Sequence, residues 1–336
     1  MHVQVSTLPD NISYSTLTVS DKNVVKIPRR ELYDVRMQLM AEDEDLPDSA
    51  PPSSVPSSVT CEGRRMKERE VMLDFVNGHE DVRPGIYEGG LKSWECSIDL
   101  VRWLARQLDL NNIAQGSPRV LELGCGTSLP SLFLFQEAVR MSHDGAGRDR
   151  DVNRGGATFH LADYNYEVLR LVTMPNVFLS WVLCARPEIL SLPSGDIGVT
   201  EDLKATFLTS LHGMNVQLGF ISGCWGDEML SLLDPQRIGY NIVLGSETIY
   251  EPSTAGEFTK VLVECLDARG VGLVAAKKLY FGVGGSMEAF AHSVRARGGG
   301  WVVREVEHIG REGGGVGGVI VEVKREEDMN RAYKLD

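Results

Sequence analysis

A chain of 336 residues with 43% hydrophobic content can fill one large core, and its six cysteines (Cys61, Cys96, Cys125, Cys184, Cys224 and Cys265) include no C-x-x-C pair, which argues against a zinc site or a disulfide framework. With 34 basic against 47 acidic residues, a net charge of −13 repels nucleic-acid phosphates and favours a basic partner, so direct nucleic-acid binding is not expected. The first thirty residues lack an apolar signal centre and the nearly apolar run "VFLSWVLCA", 177–185, is far below the roughly 20 residues of a membrane span, so we expect a reducing, intracellular setting and no membrane contact.

Residues 1–70 show little periodicity and contain the acidic run "EDEDLPD" (42–48) and the stretch "PPSSVPSSV" (51–59). Such composition buries too little apolar surface to offset ordering, and predicts a mostly disordered segment. The folded domain is expected over 71–326, with 327–336 as a tail. After the tight "YEGG" turn, "SIDLVRWLARQL" places Ile98, Val101, Leu104, Ala105 and Leu108 on one face at helical spacing. Strand and helix patterns then alternate: "RVLELG", a helix over 128–140, "TFHLAD", a helix from 165 to 171 or longer, "VQLGFIS", "YNIVLGSE", a helix over 253–267, "VGLVAAKK" and a helix over 286–297. Two last strands, "WVVREVEHI" and "GVIVEVK", flank a glycine-rich stretch that suits a hairpin. Alternation predicts an α/β, Rossmann-like, doubly wound sheet of seven strands, mostly parallel with an antiparallel terminal hairpin and with ligands at the carboxyl ends of its strands. The polar stretches around 142–156 and 186–214 read as surface insertions.

The turn in "LELGCGTSLP", 121–130, carries the first chemical signal. A dinucleotide fingerprint requires a third glycine at 129, where this chain has Leu129, so a pyrophosphate is disfavoured. What remains, acid-x-Gly-x-Gly from Glu122 through Gly124 to Gly126, suits a smaller, amino-acid-like ligand; taken in isolation, the two glycines read first as a tight turn. Asp163, closing the second strand in "LADYN", stands where an acid accepts both ribose hydroxyls, or where an aspartate caps the next helix. The third strand ends in "SGCW", where Trp225 suits an adenine face and Gly223 close approach, or a core tryptophan. The start of "KSWECS" offers free backbone N–H groups and a positive dipole end to a carboxylate, with Trp94 over its aliphatic part, or an ordinary helix cap at Ser97. Glu247 and Tyr250, after the fourth strand, sit at the mouth of the sheet, where an acid or base is placed; a surface glutamate is the alternative.

Taken together, "YEGGLKSWECSIDLVRWL", "LELGCGTSLPSLFLF", "ADYN", "GCW", "SETIYEP" and "KKLYFGVGG" resemble, in that order, the histidine protein methyltransferase family, of the seven-strand (class I) S-adenosyl-L-methionine-dependent methyltransferases. The resemblance runs from Gly85 to Val323 and is nearest to fungal-type members. It implies N-methylation of a histidine ring in a large-subunit ribosomal protein, in the cytoplasm or nucleus. The cofactor site it implies comprises Trp94, Glu95, Cys96, Ser97, Gly124, Asp163, Tyr164, Gly223, Cys224, Trp225 and Ser246, beside the Glu122 and Gly126 of the turn. Glu247 is expected to hold the acceptor ring, with Tyr250 as an orienting hydroxyl, and the "LYFGVGG" loop, 279–285, to form the substrate lip. Ser286 departs from the family pattern, which has a third glycine there. A lysine-directed methyltransferase, a non-catalytic cofactor-binding module for ribosome assembly and, disfavoured by Leu129, a nicotinamide-dependent reductase remain alternatives from the residues alone.

Overall fold

The strands of the chain pair into two sheets in a computed structural model, which describes residues 5–19, 24–44, 71, 72, 74, 89–107, 117–144, 156–233, 236, 238–280, 284–310 and 317–327. The first elements are strands β1 (Asn11–Val19) and β2 (Val25–Arg30) and helix α1 (Leu32–Glu44). Helix α2 (Glu95–Gln107) precedes β3 (Arg119–Leu123), α3 (Leu129–Asp144) and β4 (Ala157–Asp163). Helix α4 (Tyr166–Ala185) leads to β5 (Ser194–Gly198), α5 (Glu201–Gly213), β6 (Val216–Ser222), α6 (Asp227–Leu233) and β7 (Tyr240–Ser246). The chain closes with α7 (Pro252–Cys265), β8 (Leu266–Lys277), α8 (Met287–Ala296), β9 (Trp301–Ile309) and β10 (Gly318–Arg325).

The large sheet has the order β6-β4-β3-β7-β8-β10-β9. Strands β6, β4, β3, β7 and β8 run parallel, while β10 lies antiparallel to both β8 and β9. This is the expected seven-strand plan with its terminal hairpin. The period-2 alternation of strand side chains divides the core. Val120, Phe159, Leu161 and Ile242 meet the layer containing α2, α3 and α4, whereas Leu121, Leu123, Val243 and Val274 meet the layer of α6, α7 and α8. From β3 the chain winds outward through β4 and β6, then crosses back to β7 on the other side. That reversal opens a crevice outside the carboxyl ends of β3 and β7.

Helix α4 has 20 residues and a mean hydropathy of 1.6, long and apolar enough to cross a bilayer, but 78% of its apolar window is buried within the domain. Its turn at Leu169–Thr173 widens to π geometry. There the Thr173 hydroxyl donates to the Gly126 carbonyl at 2.7 Å.

Two expectations are corrected. Much of the N-terminal stretch is ordered: β1 pairs antiparallel with β2, from Tyr14↔Arg30 to Val19↔Val25. The stretch read as a second surface insertion forms β5 and α5, and β5 pairs with β1 from Asn11↔Gly198 to Ser15↔Ser194. Each segment supplies the other's partner. Ile12, Tyr14 and Ile27 enter the same buried cluster as Leu203, Phe207 and Leu211, so burial withheld from either alone is recovered by both together. Averaging composition over seventy residues diluted this ordered part with the acidic and Pro/Ser runs. Residues 45–70, most of the 142–156 insertion and the tail from 328 lie outside the described residues.

Candidate active site

The crevice at the switch point holds a cavity of about 470 Å³, within the ~300–1,000 Å³ range of small-molecule sites. Its wall is built from the turns after β3, β4, β6 and β7, and from the approach to α2.

At α2, Trp94 donates from its indole N–H to the Gly89 carbonyl at 3.0 Å. Lys92 Nζ lies 5.2 Å from the centroid of the Trp94 ring. Ser97 does not cap amides: its hydroxyl donates to the Trp94 carbonyl at 2.6 Å. Trp94 and Ser97 line the cavity. Glu95 and Cys96, expected beside them, do not. The helix begins at Glu95, so successive side chains fan out by about 100°; Glu95 points to solvent and Cys96 is fully buried in the core.

The glycine turn is held from below. Glu122 is buried, and its Oε2 accepts from the Ser131 backbone N–H at 3.0 Å and from the Ser128 hydroxyl at 3.2 Å. Burial raises its pKa from 4.5 to about 7, against the pull of those donors and with a smaller push from Asp163. Gly124 and Gly126 adopt φ of +64° and +48°, where an L side chain is strained. A Cβ on Gly124 would also stand 2.8 Å from Thr248 Cγ2, and one on Gly126 3.0 Å from the Gly90 carbonyl oxygen. The glycines therefore give clearance to protein neighbours that wall the cavity.

Asp163 is buried, and its two oxygens are already engaged: Oδ2 accepts from Gly126 N–H at 2.9 Å and Oδ1 from Asn165 N–H at 3.1 Å. The aspartate thus ties the ends of β3 and β4 into one rim, with Tyr164 beside it on the cavity wall. Gly223, Cys224 and Trp225 line the next side, and Trp225 packs edge-on against Phe258 with centroids 5.2 Å apart.

After β7, Glu247 has φ of +56°. A non-glycine residue in the left-handed region is uncommon and marks a site worth explaining. Its N–H donates to the Ala275 carbonyl at 2.9 Å, and Tyr280 donates its hydroxyl proton to Glu247 Oε2 at 2.5 Å. Glu247 Oε1, Ser246 Oγ and Thr248 Oγ1 are buried without a hydrogen-bond partner in the protein. All three residues line the cavity, as does Tyr250, whose ring centroid is 6.5 Å from that of Tyr280. A buried polar atom left unpaired costs about 1–3 kcal/mol, and three such atoms fall in consecutive residues of the cavity wall.

Sequence reasoning missed Thr248, Thr127 and Tyr280. The first two directly follow the motif residues Glu247 and Gly126, a signal that adjacency alone supplied. Tyr280 stood inside the "LYFGVGG" loop, but its aim at Glu247 follows from pairings between distant residues: Tyr280 N–H to the Gly285 carbonyl at 3.0 Å and Gly285 N–H to the Tyr250 carbonyl at 2.9 Å. Positions 281–283 of that loop lie outside the described residues. Ser286 accepts from the Ala289 N–H at 3.1 Å; it N-caps α8, a role a glycine side chain cannot play.

No protein-family model matches the chain. Curated relatives do. The chain is 34% identical over 288 residues to histidine protein methyltransferase 1 of Schizosaccharomyces pombe, covering 84% of this chain and 72% of that protein. It is 34% identical over 279 residues to histidine protein methyltransferase 1 of Saccharomyces cerevisiae, with 78% and 67% covered. The Bos taurus homolog is 30% identical over 230 residues, with 68% and 54% covered. Among solved structures, a TehB-like SAM-dependent methyltransferase from Corynebacterium glutamicum aligns at 9% identity with a TM-score of 0.35, covering 78% of this chain and 98% of that one. On the strength of the curated relatives, the chain belongs to the histidine protein methyltransferase family.

Proposed function

We propose that this enzyme methylates one ring nitrogen of a histidine in a basic, large-subunit ribosomal protein, in the cytoplasm and nucleus. The observation that carries the reading is the Ser246–Glu247–Thr248 wall of the cavity, each of whose residues holds a buried oxygen without a partner in the protein, in a chain of a methyltransferase family.

The residues present fit the cofactor. S-Adenosyl-L-methionine, when bound, supplies a methyl group activated on a sulfonium. Trp94 and Ser97 serve its amino-acid end, and the turn at Gly124 and Gly126 borders its middle. Asp163 with Tyr164 serves the ribose, because a carboxylate oxygen accepts more than one hydrogen bond and Asp163 can hold the turn and hydroxyls at once. Gly223, Cys224 and Trp225 flank the adenine, and Ser246 completes the cofactor's wall. Glu122 braces the turn from beneath.

Glu247 carries the acceptor chemistry. A histidine with a reference pKa near ~6.5 is largely neutral at physiological pH, so no strong base is required before attack. Oε1 of Glu247 accepts the N–H of one ring nitrogen, which leaves the lone pair of the other nitrogen aimed at the methyl. On accepting the methyl group that the cofactor would supply, the ring would gain a positive charge that the same carboxylate stabilises. The ring proton passes to solvent after the product leaves. Tyr250 orients the ring from the lip.

A basic protein suits the mouth. Besides Glu122, Asp163 and Glu247, the lining includes Glu251 and Glu257, and among the described lining residues Lys92 is the single cation, within a chain of net charge −13. The test is incubation with methyl-labelled S-adenosyl-L-methionine and a lysate lacking endogenous activity, followed by identification of the labelled residue. We expect methylhistidine in one ribosomal protein. Label on lysine, or on an acidic non-ribosomal protein, would overturn the reading.

A further inference from the structure

We propose that Tyr280 is a positioning residue for methyl transfer: its hydroxyl fixes the Glu247 carboxylate so that one oxygen alone, Oε1, meets the acceptor ring. The inference rests on the proposed role of Glu247 and concerns a residue outside the cavity lining.

The hydrogen bonds have a direction. The Lys277 backbone N–H donates to the Tyr280 hydroxyl oxygen at 3.2 Å, so the one proton of that hydroxyl points to Glu247 Oε2, 2.5 Å away. Burial, then the neighbouring carboxylate, push the Tyr280 phenol far above its ordinary range, and it remains a donor at any working pH. The donor is itself held in place. Tyr280 N–H bonds to Gly285, Gly285 N–H to the Tyr250 carbonyl, and Met287 N–H to the Lys278 carbonyl at 3.3 Å. Leu279 and Ser286 also pair in an isolated antiparallel bridge.

On the other side, Glu247 is fixed at its backbone by the left-handed φ and the bond to Ala275. A glutamate with a free head samples several rotamers; one anchored at backbone and Oε2 does not. With Oε2 occupied, Oε1 is the oxygen without a partner. Misplacing a reacting group by about 1 Å costs on the order of 100-fold in rate, so the effect of losing the anchor belongs in turnover and not in cofactor affinity.

The test compares wild type, Tyr280→Phe, Glu247→Gln and the double variant, using as acceptor the protein of a lysate lacking endogenous activity. Cofactor affinity and thermal unfolding serve as controls for the fold. Tyr280→Phe is expected to lower kcat by about 10- to 100-fold, with KM for the acceptor within about threefold and the cofactor Kd unchanged. The double variant is expected to be no slower than Glu247→Gln alone. Full turnover in Tyr280→Phe, losses that multiply in the double variant, or a loss that tracks weakened cofactor binding would overturn the role of Tyr280 while Glu247 stands. Full turnover in Glu247→Gln would overturn the role of Glu247 itself, and the inference with it.

Discussion

The two sheets of this protein support the same glycine turn from opposite directions. The seven-stranded sheet supplies the turn itself, between β3 and α3, and closes it with Asp163 from the neighbouring strand. The three-stranded sheet, order β2-β1-β5, reaches it through side chains. Arg29 Nη1 donates to Ser93 Oγ at 3.0 Å, and Ser93 donates to Thr127 Oγ1 at 3.0 Å. The Arg30 N–H donates to Asn176 Oδ1 at 2.8 Å, and Asn176 Nδ2 donates to the Thr127 carbonyl at 3.1 Å. Thr127, a cavity residue, is therefore held at both its oxygens by contacts that lead to β2. The large sheet makes a site, and the small one keeps its rim in place.

The comparison can be broken at several points. Asp163→Ala cuts the large sheet's own tie and leaves two buried backbone N–H groups without acceptors, so cofactor affinity is expected to fall by at least about 30-fold, at about 1–3 kcal/mol for each group, read by calorimetry. Asn176→Ala cuts the small sheet's tie, leaving Arg30 N–H and the Thr127 carbonyl unpaired. It should lower both thermal stability and cofactor affinity, the latter by about tenfold, given a similar penalty for a lost buried bond. If Asn176→Ala leaves cofactor binding at the wild-type value, the small sheet is not part of the site's support.

Glu122 sharpens the account through pH. Its folded pKa of about 7 stands above the ordinary 4.5, so between those values the folded state keeps a proton that the unfolded chain has released. Through Glu122, stability is greatest at low pH and falls as pH rises from 4.5 to 7, levelling above. Glu122→Gln, which keeps an acceptor for Ser131, is expected to flatten that limb of the stability curve in urea melts run across the range. An unchanged limb would contradict the assignment. Smallest is the effect of salt. Rising ionic strength should weaken capture of the basic protein substrate by a few fold and leave cofactor Kd nearly constant; equal sensitivity would count against an acidic mouth that steers its substrate.

Legibility in the sequence followed the range of the interactions. The seven strands could be read because each carries its own apolar run and each crossover its own helical period, both local signals. Hence β3, β7 and the hairpin of β9 and β10 stand where expected, and thirteen of the fifteen nominated site residues line one cavity, Glu95 and Cys96 being the exceptions. The small sheet could not be read. Ser13 bonds to Asp196 across 183 positions, and neither β1 nor β5 has an apolar run to announce it: "NISYSTLTV" and "SGDIG" are mostly polar. Their burial exists only once both are present. The same holds for Tyr280, whose meaning depends on a residue 33 positions away.

The most direct test of the central claim, that Glu247 handles the acceptor while the turn and its supports handle the cofactor, is single-turnover formation of methylhistidine by Glu247→Gln at saturating S-adenosyl-L-methionine. The account predicts wild-type cofactor binding with methylhistidine formed about 100-fold more slowly. Methylhistidine formed at the wild-type rate would contradict it.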